Sequence, residues 1–163
     1  MRFIILYLFL NICLCGCYSF KGISIPAEVN TFNLEQVVDQ SYQAPATYPL
    51  DFYESLLSKI RKDSRLTLNT RDPDIRFICK ITQFAISSQA AQANASSAIN
   101  RLSVALEVEM INAKDSKLNW KTGFTRYQDF DANVNFNNIQ QQLTKEINNL
   151  LVEDIFNKAF TNW

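Results

Sequence analysis

The feature that most constrains this chain is an unbroken alternation between Arg101 and Ile111. Leu102, Val104, Leu106, Val108 and Met110 face one way, and Ser103, Ala105, Glu107 and Glu109 face the other. Successive side chains of a strand point to opposite faces of its sheet, so this pattern predicts a sheet with one face in the core and the other in a wetter setting. The period of two continues on both sides. Upstream, Ile75, Phe77, Cys79 and Ile81 alternate; beyond Thr82 the phase slips to Phe84 and Ile86, the signature of one inserted residue in a β-bulge. Downstream, Asn112–Ser116 reads as a hairpin connection, and Leu118, Trp120, Thr122 and Phe124 resume the alternation on a return strand expected to pair antiparallel.

Two segments carry a helical period instead. Pro49 opens the first with φ already set for a first turn, and Phe52, Tyr53, Leu56, Leu57 and Ile60 make one apolar stripe ending near Lys62. The basic cluster Lys59, Arg61, Lys62 and Arg65 at its end complements the helix dipole and is not read as a site. The second runs from about Phe136 to Phe160, where Ile139, Leu143, Ile147, Leu150 and Leu151 form a stripe continued by Val152, Ile155, Phe156, Ala159 and Phe160. A first strand is expected at Asn30–Val37 with Phe32 and Leu34 on one face, followed by a loop over Gln40–Tyr48. Leu66 and Leu68 alternate briefly before a turn at Arg71–Asp74, and Gln128–Asn133 closes the sheet. Ser87–Asn100, rich in serine, alanine, glutamine and asparagine, reads as a flexible hairpin loop rather than a helix. Strand, helix, several antiparallel strands and a long helix imply an α+β two-layer sandwich. Its four- to five-stranded mixed or antiparallel sheet would carry two helices packed on one face. The first strand, first helix and second strand would form a right-handed βαβ unit.

The N-terminus sets the setting. Arg2 precedes an apolar run from Phe3 to Leu10, too short for a bilayer span, which needs about 20 apolar residues, but suited to a signal peptide. Leu14-Cys15-Gly16-Cys17 then resembles the bacterial lipobox, with Cys17 as the lipid acceptor. The expected organisation is a signal peptide at 1–16, a lipidated tether at 17–29 and one α+β domain at 30–163. A Cys13, Cys15, Cys17 metal cluster is disfavoured, because zinc sites use wider spacing with distant partners and the chain has no histidine. Cys79, left alone once Cys17 carries a covalent diacylglycerol and an N-acyl chain, reads as a small buried hydrophobe. Equal totals of 16 basic and 16 acidic residues argue against nucleic acid as a partner. The lack of histidine removes the commonest general base and the commonest metal ligand, so neither a cofactor nor a metal is expected. Asp129 and Asp131 lack any accompanying nucleophile motif, and turn formation explains them better than acid/base catalysis; the chain is read as a non-enzyme.

Four segments together resemble one family. They are Cys17-Tyr-Ser-Phe-Lys-Gly-Ile-Ser-Ile-Pro26, Asn100-Arg101-Leu102, Arg126-Tyr127 with Asp129 and Asp131, and Val152–Trp163. They look like the LptE family of lipopolysaccharide-assembly lipoproteins, in its Bacteroidota-type branch. The resemblance implies a two-layer α/β fold and a lipid anchor at the inner face of the outer membrane. It also implies partnership with an LptD-type β-barrel that the protein plugs, assisting passage of lipopolysaccharide to the outer leaflet. Tyr18 after the acceptor, rather than aspartate, is similar to lipoproteins sorted to the outer membrane. Lipopolysaccharide carries clustered phosphates, natural partners of basic side chains, so Arg101, Lys114, Lys117, Lys121 and Arg126 beside the central hairpin are the candidate contacts to lipid or barrel. The alternative is an accessory lipoprotein of another envelope secretion or transport complex.

Overall fold

A computed structural model describes residues 22, 24–89 and 98–161. In it the long alternation becomes three antiparallel strands: β4 (Ile75–Gln89), β5 (Ile99–Asn112) and β6 (Trp120–Asp131). Ahead of them come β1 (Thr31–Leu34), β2 (Val38–Asp39), helix α1 (Tyr48–Asp63) and β3 (Thr67–Leu68); helix α2 (Phe136–Phe160) follows. The strand order is β3-β1-β4-β5-β6, with β2 also on β4. β1 runs parallel to both β3 and β4, so β1, α1 and β3 form the expected parallel crossover.

The sheet has six strands rather than four or five. The surplus comes from β2 and β3, which are two residues each and too short to show a period. The strand expected over Asn30–Val37 is split in two: β1 pairs β4 at Ile75–Phe77, and β2 resumes on the same flank at Lys80 and Ile81. The phase slip is a true irregularity, since the β4–β5 register shifts between Ile81 and Gln83. Past it, Phe84 is buried but Ile86 stands 44% exposed. The loop expected over Ser87–Asn100 is shorter, because Ser87, Ser88 and Gln89 pair with Arg101, Asn100 and Ile99. Its central part, 90–97, lies outside the described residues. Leu118 belongs to a 3-10 turn at Ser116–Leu118, not to the return strand.

Both helices lie on the face of Leu102, Val104, Leu106 and Val108, all essentially inaccessible. α1 contributes Phe52, Leu56 and Ile60, each at 0% exposure, with Tyr53 and Leu57 half-buried at the stripe's margins. α2 contributes Ile147, Leu151 and Ile155, whereas Leu150, expected in its stripe, is largely exposed. Each such aliphatic or aromatic side chain contributes roughly 1.5–3 kcal/mol by leaving water, so this face sets the fold. The helices are also joined by polar contacts. Buried Tyr48 donates its hydroxyl to Asn148 Oδ1 at 2.6 Å, and Lys59, paired with Asp63 on its own helix, reaches Glu153 across the gap. Burial, aided by nearby Asp51, raises the Tyr48 hydroxyl pKa well above a free tyrosine's, so it stays a donor. The Lys59 ammonium also lies 5.0 Å from the Phe156 ring centroid. The basic cluster therefore has more specific partners than the dipole alone: Arg65 donates to Asn30 Oδ1 and to the Pro26 carbonyl. Residues 24–29 lie against the domain, with Ser24 N–H donating to Phe160 O at 2.7 Å and Val29 buried.

Candidate functional site: a charge-paired open sheet face

The alternation that buries one side of β4, β5 and β6 leaves the other uncovered by either helix. There the strands present rows set by register. Ser87, Arg101 and Asp129 make one; Lys80, Glu107 and Gly123 another; Ile78, Glu109 and Lys121 a third. Arg101 grips Asp129 with both prongs, Nε to Oδ1 at 2.6 Å and Nη2 to Oδ2 at 2.8 Å, the bidentate geometry in which charge-assisted bonds are strongest. Its guanidinium also stacks 3.7 Å from the Tyr127 ring centroid. The Arg101 hydrogen bond holds the Asp129 carboxyl below its usual pKa, and the same bond raises Arg101. Lys121 Nζ binds Glu107 Oε1 at 2.9 Å, which raises the ammonium pKa. Between these pairs lies a shallow depression of about 510 Å³ over Ala105 and Gly123, rimmed by Thr82, Glu107, Lys121 and Thr125.

The five candidate cations do not form one patch. Arg101 and Lys121 share the open face. Arg126, opposite buried Val104, points to the helix side and forks onto Asp154 of α2 with both contacts at 2.6 Å. Lys114 sits at the hairpin end, 3.1 Å from Asp74 Oδ1. Lys117, exposed in the 3-10 turn, has no ion-pair partner among the described residues. Four of the five are thus matched to carboxylates of the chain itself. Asp131 does turn work, its Oδ1 accepting from Asn133 N at 2.8 Å and Nδ2 at 3.0 Å, while Asp129 is engaged by Arg101. Cys79 is buried, and burial pushes its thiol pKa up to about 12, which makes it inert as a nucleophile. Cys17 lies outside the described residues. Among the described residues no three Asp, Glu or Cys side chains converge as a metal cage requires, and no helix is long and apolar enough to cross a membrane.

One structural residue escaped the sequence reading. Asp74, read as part of a turn, accepts through Oδ2 from Asn30 N and Thr31 N at 2.9 Å each and from Thr31 Oγ1 at 3.0 Å, while Oδ1 meets Lys114. It clamps the start of β1 to the start of β4 and to the far hairpin. The Asn30 backbone bond, then the Lys114 and Thr31 contacts, hold its carboxyl well below the usual carboxylate range. Its stabilisation is therefore complete above the unfolded pKa near 4 and is lost as pH falls toward the folded value. Asp74→Asn is expected to cost about 2–3 kcal/mol at neutral pH, because hydrogen bonds to a charged group weaken. The variant should also unfold over an acid range in which its stability falls less than the parent's; paired denaturant titrations at pH 7 and below pH 4 check this.

Fold and face together define a two-layer α+β domain that leaves one sheet surface free of both helices and carries two ion pairs there, Arg101–Asp129 and Lys121–Glu107. The profile of the LptE family, described as Lipopolysaccharide-assembly, matches residues 29–159, and the chain belongs to that family. No curated protein matches it significantly. Among solved structures it is similar to a minor lipoprotein from Acinetobacter baumannii, at 12% identity over 79% of this chain and 91% of that one, with TM-score 0.53. A hypothetical protein from Chlamydia trachomatis aligns at 7% identity over 82% and 99%, with TM-score 0.54. A protein from Xanthomonas campestris does so at 7% identity over 82% and 87%, with TM-score 0.54. At these identities the likeness concerns the fold alone.

Proposed function

We propose that this lipopolysaccharide-assembly protein is anchored in the outer membrane through lipidated Cys17, faces the periplasm, and plugs an LptD-type β-barrel that delivers lipopolysaccharide to the outer leaflet. The observation that carries the reading is the family match across nearly the whole described domain. The open face supports it physically. A body seated in a wet lumen needs a polar outward surface, because polar groups there keep their contact with water. The Arg101–Asp129 and Lys121–Glu107 pairs supply such a surface. Lipopolysaccharide contact by Arg101, Lys114, Lys117, Lys121 and Arg126 belongs to the same proposal. In four of these, Lys114 included, a phosphate has to displace a carboxylate, so Lys117, exposed at the hairpin end, is the best placed.

Depletion of the protein is expected to leave the barrel misassembled and lipopolysaccharide or lipooligosaccharide missing from the cell surface. Surface labelling of depleted cells measures this, and normal display would refute the reading. A pull-down from detergent-solubilised outer membrane separates it from the alternative of an accessory lipoprotein in another envelope complex: a large β-barrel should co-purify in the first case and not in the second.

A further inference from the structure

β6 is the last strand of the sheet, and no strand lies beyond it among the described residues. Exposed edges are templates for pairing, and proteins usually blunt them with brevity, proline, bulges, charged side chains or a covering helix or loop. β6 has none of the first three: it is 12 residues long, lacks proline, and runs against β5 from Met110–Trp120 to Ile99–Asp131 without a register break. Its charges, Lys121, Arg126, Asp129 and Asp131, are of mixed sign, so they repel or attract an incoming strand according to register.

We propose that this edge pairs antiparallel with β6 of a second copy of the chain about a two-fold axis at Thr125, joining two six-stranded sheets into one. Antiparallel neighbours share a face, so a two-fold pairing can be written out residue by residue. With the axis at Thr125, the open face sets Lys121 against the second copy's Asp129, Gly123 against its Tyr127 and Thr125 against its equivalent. The helix-side face sets Trp120 against Phe130, Thr122 against Gln128, and Phe124 against Arg126.

Three features of the molecule complement one another in this register. Arg101 and Asp129 on one copy would continue into Lys121 and Glu109 of the other, a row of alternating charge running across the joined sheet. Tyr127, 51% exposed and held in place under Arg101, would lay its ring over the bare backbone of Gly123, where nothing but a distant Leu106 carbonyl approaches. Trp120 and Phe130 would stack at each end. The adjacent registers lose these matches. An axis at Arg126 sets that arginine against itself and Gly123 against Asp129, although it brings Lys121 to Asp131. An axis at Phe124 leaves Lys121 facing Tyr127 and Thr122 facing Arg126. The occupant proposed is therefore a second copy; the joined pair is a state of the protein outside a barrel and stands apart from the barrel partnership.

The test uses the full chain purified in detergent. Sedimentation should give a protein mass twice that of the single chain. Thr125→Cys should form a covalent dimer on mild oxidation, because facing residues in an antiparallel pair lie within disulfide reach. Gly123→Cys and Tyr127→Cys should cross-link when mixed but not separately, and Thr122→Cys, whose counterpart is Gln128, should remain single. Buried Cys79 does not compete. The mixed Gly123→Cys and Tyr127→Cys pair serves if Thr125→Cys does not fold. A single-chain mass across the concentrations used, or cross-linking of Thr122→Cys as strong as that of Thr125→Cys, would overturn the proposal.

Discussion

Replacing Cys17 by alanine is expected to abolish lipid anchoring, leaving a soluble or unprocessed precursor. The size of this effect follows from how the body is built. Most of its large apolar side chains are turned inward, and no helix among the described residues is long and apolar enough to cross a bilayer. The strength expected of the proposed anchor comes from acyl chains, at about 0.8 kcal/mol per buried methylene; one chain gives marginal binding and two or more give a stable hold. The point of attachment also matters. Ser24 is tied to Phe160 at the end of α2, so a lipid on Cys17 would be separated from the body by only the stretch 18–23 and would hold the domain near the membrane. Fractionation of cells expressing Cys17→Ala, with mass spectrometry of the N-terminus, measures the outcome. An acylated, membrane-bound parent beside a released or uncleaved variant is the expected result.

The sheet was legible because burial is one-sided. Leu102 to Met110 could be read as a strand with a wet back from residue types alone, and the slip at Thr82 betrayed an irregularity because a phase change has no other simple cause. The helices were equally plain, the second down to its limits at Phe136 and Phe160. What stayed hidden was whatever depends on a partner distant in sequence. β2 and β3 exist because β4 and β1 offer free backbone to them, and two residues carry no period. The role of Asp74 arises from donors more than 40 positions earlier, Asn30 and Thr31, and nothing local announces them. The candidate cations show the same limit. Parity places Arg101 and Lys121 on one face and Arg126 on the other, but their carboxylate partners, above all Asp154 on α2, required the folded chain. Ile86 and Leu150 carry the apolar pattern yet stand largely exposed, since a pattern fixes which way a residue faces and not whether anything covers it.

Phe77→Ala is expected to be among the most destabilising single substitutions in the domain. Phe77 lies where three strands meet: it pairs with Leu34 of β1 on one flank and Met110 of β5 on the other, and its carbonyl accepts from Glu35 N at 2.9 Å. Its ring, wholly inaccessible, packs edge-on against Phe160 at 6.1 Å, and Phe160 in turn meets Phe156 at 5.1 Å. Truncation would empty the space between the sheet's centre and the last turn of α2, and neighbours held by the β-ladder on both sides cannot collapse into it. Phenylalanine-to-alanine changes at such sites cost about 3–5 kcal/mol, a large part of the roughly 5–15 kcal/mol that stabilises a typical domain. Ile86→Ala is the matched control. It removes an aliphatic side chain from the same strand at a largely exposed position and should shift stability by no more than about 0.5 kcal/mol. Denaturant unfolding of the two variants beside the parent should show a much lowered midpoint for Phe77→Ala, a nearly unchanged one for Ile86→Ala, and similar slopes for all three. The last turn of α2 also accepts the Ser24 N–H through Phe160 O, so the cavity should loosen the point at which the N-terminal segment joins the body. Faster hydrogen exchange at the Ser24 amide in Phe77→Ala, and not in Ile86→Ala, would show that the core and the attachment point are mechanically one unit.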